Sequence, residues 1–295
     1  MATTLYQVSP TNGDLMNCYI IKTENGKLIV IDGGGRYSDE STKGYLCDEL
    51  KKISGKDEII IEAWFLTHIH DDHTTEYILA SQNESVKITV KKTYFNFASH
   101  NFYKNAEDGR FEHLYPSISQ AYNRFSGDGA FEKANGKTVF DGDSFEIDNL
   151  KFDILCVCND EENETRINDT SIVFRVTVDG QTILFLGDSN IAQGNKLLKK
   201  YGKGIHSDIV QMAHHGQNGV SEEVYATISP TLCMWPSPDW VFDNTFGHLQ
   251  TLETRKWITN LGVKYHLITG RHRTQSISLP VDFSKLTEED ITPNK

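Results

Sequence analysis

The chain has 295 residues, a formal net charge of −12 and 38% hydrophobic residues. This length is sufficient for a large core, and the negative charge disfavours duplex nucleic acid, because the summed field repels polyanions. The sequence contains neither a run of about 18 apolar residues nor an N-terminal signal peptide, so we expect a soluble, cytoplasmic protein that does not enter the membrane.

The first third of the chain predicts a β-meander followed by β-α-β alternation. "LYQVS", "MNCYIIKT" and "KLIVIDGGG" have the composition of strands, and the turn "ENGK" carries the Asn-Gly pair favoured in hairpins. Leu46, Leu50 and Ile53 lie at helical spacing in "SDESTKGYLCDELKKIS". The strand "IIIEAWFLT", a helix from about Thr74 to Ala80 and "VKITVKKTYFNF" follow. This alternation predicts helices packed against a sheet.

The second half repeats this plan after a weakly patterned segment. Residues 99–131 are rich in aromatic residues, Asn and Gly, and we interpret them as an insertion over the active site with at most one short helix. Strands then resume at "KTVF" and "SFEI", and "QTILFLGDS", "DIVQMAHHG", "TLCMW" and "KYHLIT" alternate with helices. We expect one domain over residues 1–281 and a polar tail over 282–295.

The cysteines are five in number and scattered, which predicts reduced, buried thiols in a chain without a signal sequence. Cys156 and Cys158 alternate in "FDILCVC" and would share a face of a strand. A metal or redox pair is one interpretation of this spacing. Two small core residues explain it better.

The stretch "LTHIHDDH" concentrates metal-binding side chains at the end of a predicted strand. His68 and His70 would extend from a loop, whereas Asp72 and His73 would lie in the first turn of a helix, so that donors face one point from two sides. Imidazole and carboxylate donors suit zinc, manganese or iron, and such a set can hold two ions. The alternative is a solvated polar loop with incidental histidines.

Three later strand ends supply further candidates. Asp188 follows the strand "LFLG", and its carboxylate could bridge two cations, although Gly-Asp is also an ordinary turn. His214 and His215 end the strand "DIVQMA", where neighbouring side chains diverge, so at most one should be a simple ligand. His248 precedes a predicted helix, whose dipole favours the neutral imidazole. The remaining histidines have no such setting: His100, His113, His206, His266 and His272.

These motifs together resemble a known family. "HIHDDH" is similar to the HxHxDH signature of the metallo-β-lactamase superfamily, and "LIVIDGGG", "FLGD" and "FGH" occur in that family's order. The resemblance covers about residues 4 to 281 and implies an α/β fold, the four-layered αββα sandwich, with a dinuclear metal site at one edge. Within the superfamily, the chain looks most like the hydrolase domain of DNA-uptake competence proteins and the phosphorylcholine esterase domains of choline-binding proteins.

The resemblance also implies a ligand set. It assigns His68, His70 and His215 to one ion, and Asp72, His73 and His248 to a second, with Asp188 bridging. Many family members carry a further histidine where this chain reads "RINDTSIVF", and a histidine of the His214-His215 pair would replace it. Asn168 would lie near that position and contact ligands or substrate. Asp32 would support the histidine loop through hydrogen bonds; an aspartate at a turn before three glycines is the alternative.

The predicted chemistry is hydrolysis by a metal-bridging hydroxide, with two divalent ions, zinc or else manganese or iron. Asp72 could orient the nucleophile, and His214 could contact a phosphoryl oxygen or protonate the leaving group. We expect a phosphoester hydrolase, either a phosphodiesterase or phosphorylcholine esterase-like, acting on a small or single-stranded substrate. The alternatives are C–N, thioester or lactone hydrolysis, and a non-catalytic binding or sensor protein.

Aromatic residues around the predicted site leave two interpretations open. They could stack on bases or enclose a quaternary ammonium group, or they could merely pack the loops over the sandwich. The residues concerned are Tyr94, Phe95, Phe102, Tyr103, Trp235, Trp240 and Phe242.

Overall fold

The computed structural model describes residues 2–10, 12–35, 45–83, 85–106, 136–158, 166–270 and 274–286. The first sheet contains β1 (Thr3–Gln7), β2 (Cys18–Lys22), β3 (Leu28–Asp32), β4 (Glu58–Phe65), β5 (Lys87–Val90), β6 (Thr93–Phe95), β7 (Gly136–Thr138) and β15 (Gln275–Leu279). The second contains β8 (Ser144–Ile147), β9 (Leu150–Cys156), β10 (Val173–Val178), β11 (Gln181–Phe185), β12 (Ile209–Gln211), β13 (Leu232–Trp235) and β14 (Tyr265–Ile268). The α-helices are α1 (Tyr45–Ser54), α2 (Asp71–Gln82), α3 (His100–Asn105), α4 (Ile191–Tyr201), α5 (Glu222–Ile228), α6 (Asp239–Phe242) and α7 (Thr251–Asn260).

Each sheet changes from antiparallel to parallel pairing along its length. The first sheet has the order β15-β1-β2-β3-β4-β6-β7, with β5 also paired to β4, and its parallel pairs begin at β3–β4. The second has the order β14-β13-β12-β11-β10-β9-β8, and its parallel pairs begin at β11–β12. Parallel strands place their carboxyl ends on one edge, so the loops after β3, β4, β11, β12 and β13 can meet there.

The central strands of both sheets are mostly apolar, because both of their faces are buried. In β3, Ile29 and Ile31 face the core between the sheets, whereas Leu28 and Val30 face the helices α1 and α2. β11 follows the same rule: Phe185 lies between the sheets and Leu184 faces the outer core beneath α4, α5 and α7. The fold is therefore the expected αββα sandwich.

Several local expectations differ from the structure. The helix predicted from about Thr74 begins at Asp71, and its first turn carries Asp71 and Asp72, whose carboxylates suit a helix N-terminus. "VKITVKKTYFNF" forms two strands rather than one. The short helix α6 was not predicted, although α3 supplies the short helix expected within the 99–131 insertion. The insertion beyond residue 106 and the tail beyond residue 286 lie outside the described residues.

The cysteines are free and buried, as expected. Cys156 belongs to the outer core of the second sheet and Cys158 to a separate cluster with Phe102 and Tyr103. The two thiols therefore serve as core residues of different clusters. Among the helices that the described ranges contain, none combines the length and the apolar character needed to cross a bilayer.

Candidate metal centre

Six buried donors converge where the loops after β4, β11 and β12 meet. His68, His70 and Asp188 form one group, while Asp72, His73, His215 and the same Asp188 form a second. Within each group, one nitrogen or oxygen atom per residue lies within 4.8 Å of every other. Asp188 is common to both groups, which is the arrangement expected of a carboxylate between two cations.

The loop between β4 and α2 sets the direction of its histidines. His70 is the N-cap residue of α2 in an extended conformation, so the chain passes from a loop into a helix within the motif. His73 Nε2 lies 3.1 Å from Asp188 Oδ1, whereas His68 Nε2 lies 4.0 Å from Asp188 Oδ2. His68 and His73, at opposite ends of the motif, thus both approach Asp188.

Asp32 at the end of β3 holds this loop. Its Oδ1 accepts the backbone N–H of Thr67 at 2.7 Å. Its Oδ2 lies 2.8 Å from His73 Nδ1 and accepts the Asn17 side-chain amide at 2.6 Å. A carboxylate beside Nδ1 orients the ring and leaves Nε2 directed at Asp188. Asp32 is therefore placed to orient the His73 ring.

The glycines after Asp32 permit close packing against the ligand-bearing helix. A Cβ atom on Gly34 would lie 2.0 Å from the backbone carbon of Asp72 and 2.1 Å from the backbone nitrogen of His73. The Gly33 carbonyl oxygen accepts the backbone N–H of Tyr77 at 2.9 Å. The glycine run of "VIDGGG" thus has a packing role beside the site that its sequence alone did not disclose.

The histidine pair after β12 adopts an unusual backbone conformation that separates the two rings. His214 and His215 have φ values of 51° and 56°, in the left-handed region that non-glycine residues rarely adopt. His215 Nδ1 lies 2.8 Å from the carbonyl oxygen of Pro236, and its Nε2 lies 3.3 Å from Asp72 Oδ2 and 3.5 Å from Asp188 Oδ2. His215 is therefore fully buried and faces the Asp72 group.

His214 faces Asn168 instead. The Asn168 side-chain nitrogen lies 3.2 Å from His214 Nε2, and His214 Nδ1 lies 3.3 Å from the carbonyl oxygen of Asn218. Asn168 belongs to a buried 3-10 turn, Ile167–Thr170, and His214 Nε2 is 3.9 Å from Asp188 Oδ2. His214 and Asn168 thus border the donor cluster, and neither of them belongs to its two groups.

Two placements differ from the predicted ligand set. His215 groups with Asp72 and His73 rather than with His68 and His70, because the left-handed backbone and the contact to Pro236 turn its ring that way. His248 is exposed and its ring lies against Phe246 at 6.3 Å, so the described geometry does not bring it into either donor group. His215 occupies the place predicted for His248 beside Asp72.

Burial and neighbouring charges shift the pKa values of the histidines in the cluster in opposite directions. Burial lowers the pKa of His68 well below its usual value, and the neighbouring His73 and His70 add to this effect. Burial alone would also lower the pKa values of His73 and His215, but nearby carboxylates, Asp188 foremost, outweigh it. They raise the pKa of His73 strongly and that of His215 to about 9. Burial opposes ionisation of Asp188, yet these imidazoles hold its pKa well below the usual range.

The polar atoms that face the centre of the cluster also indicate a bound cation. Within the described part of the chain, His73 Nε2, His215 Nε2 and Asp188 Oδ1 are buried and make no hydrogen bond of acceptable geometry. Such atoms are rare in folded proteins and call for an explanation, of which an ion is one. The donors are imidazole and carboxylate, the set that zinc, iron and manganese accept. The residues therefore fit a metal centre.

A cavity of about 970 Å³ lies beside the loop after β13, and no residue of the donor cluster lines it. Its lining includes Tyr45, Glu49, Lys52, Asp239 and Trp240. Pro238 also lines it, and the neighbouring Ser237 hydroxyl donates to the carbonyl oxygen of His215. Of the aromatic residues singled out from the sequence, Tyr103, Trp235 and Phe242 are fully buried, so packing explains them. Trp240 lines the cavity and remains a candidate for contact with a ligand.

An αββα sandwich with His and Asp donors at the carboxyl ends of its parallel strands defines a class of metal-dependent enzymes. The model of the Metallo-beta-lactamase superfamily matches residues 12–225, and the chain belongs to that superfamily. All six donors of the cluster lie within the matched residues.

Solved structures share the fold at low sequence identity. CmlA, a diiron beta-hydroxylase from Streptomyces venezuelae, is 12% identical with a TM-score of 0.56, and the match covers 94% of this chain and 54% of CmlA. This chain thus spans about half the length of CmlA. YhfI from Bacillus subtilis, a metallo-beta-lactamase fold protein, is 11% identical with a TM-score of 0.51, covering 93% and 100% of the two chains.

Igni18, a metallo hydrolase from the archaeon Ignicoccus hospitalis, is 12% identical with a TM-score of 0.50, and the match covers 94% of this chain and 99% of Igni18. At such identities, these likenesses show the fold alone. A comparison with curated protein sequences found no match.

Proposed function

We propose that the chain is a dinuclear metal-dependent phosphoester hydrolase, acting as a phosphodiesterase or a phosphorylcholine esterase-like enzyme. The observation that carries the proposal is the position of Asp188, which belongs to both donor groups. His68 and His70 would hold one ion with Asp188, while Asp72, His73 and His215 would hold the other. Two divalent ions bound there would supply a hydroxide at neutral pH and stabilise negative charge developing on a phosphoryl group.

The residues around the cluster have distinct roles in this proposal. Asp72 is buried between His73 and His215, and its carboxylate would orient the attacking nucleophile. His214 and Asn168 contact each other beside Asp188 and are the side chains available to bind a phosphoryl oxygen. His214 is also our candidate for protonating the leaving group. Asp32 keeps the His73 ring in place and does not contact the substrate.

The charge of the cavity beside the loop after β13 supports a small substrate or a single strand. Its lining contains the carboxylates of Asp14, Glu49 and Asp239 against one ammonium group, that of Lys52. Together with the net charge of −12, this lining disfavours a duplex polyanion. Trp240 and Tyr45 offer rings on which a base or another flat or cationic group of the substrate could pack.

A panel of substrates tests the proposal. The zinc-, manganese- and iron-loaded protein is assayed with bis-p-nitrophenyl phosphate, p-nitrophenyl phosphorylcholine, a thioester, a lactone and nitrocefin. We expect phosphoester hydrolysis to have the highest kcat/KM with at least one metal. Preference for the thioester, the lactone or nitrocefin would instead identify a carbonyl hydrolase of the superfamily. A protein that binds less than one equivalent of metal after reconstitution would contradict both enzymatic assignments.

A further inference from the structure

One buried side chain joins the loop that carries Asp188 to the loop that carries His214 and His215. Gln211 is the last residue of β12 and is fully buried. Its Oε1 atom accepts the backbone N–H groups of Leu186 at 2.8 Å and Gly187 at 2.7 Å. Its Nε2 atom donates to the carbonyl oxygens of Gly187 at 3.0 Å and Met212 at 2.7 Å.

These four hydrogen bonds use the whole capacity of a primary amide, which has two acceptor sites and two donor hydrogens. The partners also determine which atom is oxygen, because a backbone N–H can only donate and a carbonyl can only accept. A glutamate could accept the two N–H groups but could not serve the two carbonyl oxygens. A methionine has a similar length and would serve neither pair.

The Gly187 peptide unit is the point where the loops meet. Its carbonyl oxygen accepts the backbone N–H of His214 at 3.1 Å in addition to the Gln211 amide. On the other side, the backbone N–H of Asp188 donates to the Ser171 hydroxyl at 3.0 Å. Gly187 itself has a φ of 56°, and a Cβ atom there would lie 2.8 Å from the Ser171 Cβ atom. The backbone on the amino side of Asp188 is therefore held between Ser171 and Gln211.

We propose that Gln211 is a positioning residue of the metal centre. It sets the separation of Asp188 and His215, whose Oδ2 and Nε2 atoms are 3.5 Å apart, while contacting neither ion nor substrate. The inference rests on the proposed function only in that the cluster binds metal. Residues that orient ligands in this way typically contribute about 10- to 100-fold to metal affinity. Loss of Gln211 would leave the bond between the His214 backbone N–H and the Gly187 carbonyl oxygen to join the two loops, so their separation would be less firmly fixed.

The test compares Gln211→Met and Gln211→Glu with Gln7→Met. Gln7 is a matched control, because it is also buried and its side-chain amide donates to the carbonyl oxygens of Trp235 at 2.8 Å and Leu267 at 3.4 Å. Neither of these bonds reaches the loop of Asp188. Each protein is prepared metal-free and titrated with Co²⁺, whose visible absorption reports coordination geometry. Urea unfolding of the metal-free proteins measures stability, and kcat and KM are measured with the best substrate of the panel.

We expect both Gln211 variants to bind Co²⁺ about 10- to 100-fold more weakly, with an altered spectrum and a lower kcat. Gln7→Met should lose stability while keeping the wild-type spectrum and affinity. A folded Gln211→Met with wild-type affinity and spectrum would overturn the proposal, as would an equal loss of affinity in Gln7→Met. The proposal also fails if Gln7→Met folds and both Gln211 variants do not, since Gln211 would then be a purely structural residue.

The outcomes separate this inference from the proposed function. Wild-type protein that binds Co²⁺ but hydrolyses no phosphoester would contradict the substrate assignment, while the affinity comparison would still decide the role of Gln211. Wild-type protein that binds no Co²⁺ would overturn the metal centre and the positioning role together.

Discussion

Two histidine side chains of the site have one ring nitrogen engaged by the protein, so that the other faces the cluster. His73 contacts the Asp32 carboxylate through Nδ1, and His215 contacts the Pro236 carbonyl through Nδ1, both at 2.8 Å. In each ring the remaining Nε2 atom is directed at Asp188. Such contacts hold the ring orientation before any ligand binds and raise the basicity of the donor. Asp188 is the residue on which both groups converge.

Replacing Asp188 with alanine tests this convergence. We expect Asp188→Ala to abolish hydrolysis and to reduce the bound metal at both positions, because each donor group loses a carboxylate. Metal content by mass spectrometry and Co²⁺ affinity measure the effect. Asp71→Ala is the control, since Asp71 accepts the backbone N–H of Asp72 at 3.0 Å and belongs to neither donor group, and its removal should cost about 1 kcal/mol of stability. Wild-type turnover in Asp188→Ala would contradict the bridging assignment.

Between secondary-structure elements, the site depends on how closely β3 and α2 approach each other. Asp32 ends β3 and contacts His73 in the first turn of α2, and the backbone N–H of Asn17 donates to the carbonyl oxygen of Asp72 at 3.0 Å. Gly34 provides the space for this approach, because any side chain there would overlap the backbone of Asp72 and His73. The glycine is thus required by the packing of the two elements rather than by its own conformation.

A methyl group at position 34 should therefore damage both stability and metal binding. We expect Gly34→Ala to destabilise the fold by roughly 3 kcal/mol and to weaken metal binding, because α2 must shift and carry Asp72 and His73 with it. Urea unfolding and Co²⁺ titration measure the two effects. Gly204→Ala is the control, since a Cβ atom there meets only the Tyr201 Cβ atom at 3.7 Å, an ordinary contact. Equal behaviour of the two variants would refute the packing role.

Across the whole molecule, the two sheets form one core whose edge carries the site. Phe65 of the first sheet stacks on Phe152 and Phe174 of the second, with ring centroids 4.9 Å and 5.0 Å apart. On the outer side of the second sheet, His266 in β14 is buried beside the cluster that contains Trp235 and Ile268, and the Trp235 indole N–H donates to its Nδ1 atom at 3.1 Å. Burial lowers the pKa of His266 from its usual 6.5 to about 4. This histidine is neutral in the fold and lies outside the donor groups.

The buried His266 predicts a loss of stability in acid. Between about pH 6.5 and 4 the unfolded chain binds a proton at this residue and the folded chain does not, so the free energy of unfolding falls as pH falls through this window. The full effect is about 3 kcal/mol, at 1.36 kcal/mol per unit of pKa shift. His266→Gln should reduce the change in the free energy of unfolding between about pH 6.5 and 4, measured by urea unfolding of the metal-free protein. His206→Gln, at a surface turn, controls for the loss of a histidine, and an unchanged slope in His266→Gln would contradict the prediction.

Much of the fold and most of the site could be predicted because their signals are local. Hydrophobic periodicity located the strands and helices that carry the motifs, and the polar residues at strand ends marked Asp32, the HxHxDH loop, Asp188 and the histidine pair. Gln211 was missed, although a glutamine inside the apolar run "DIVQMA" was itself a signal, because a buried amide must find partners. The helix α6 was missed because its four residues are too few to show a period.

The sequence by itself determined the αββα class and the kinds of donor, since both depend on residue type and spacing along the chain. Only the tertiary structure decided which donors belong to the same group. His215 faces Asp72 because its left-handed backbone and the Pro236 carbonyl, 21 residues further along, turn its ring. His248 stands outside both donor groups because its segment is exposed. Side-chain direction depends on contacts between distant segments, and spacing along the chain does not contain that information.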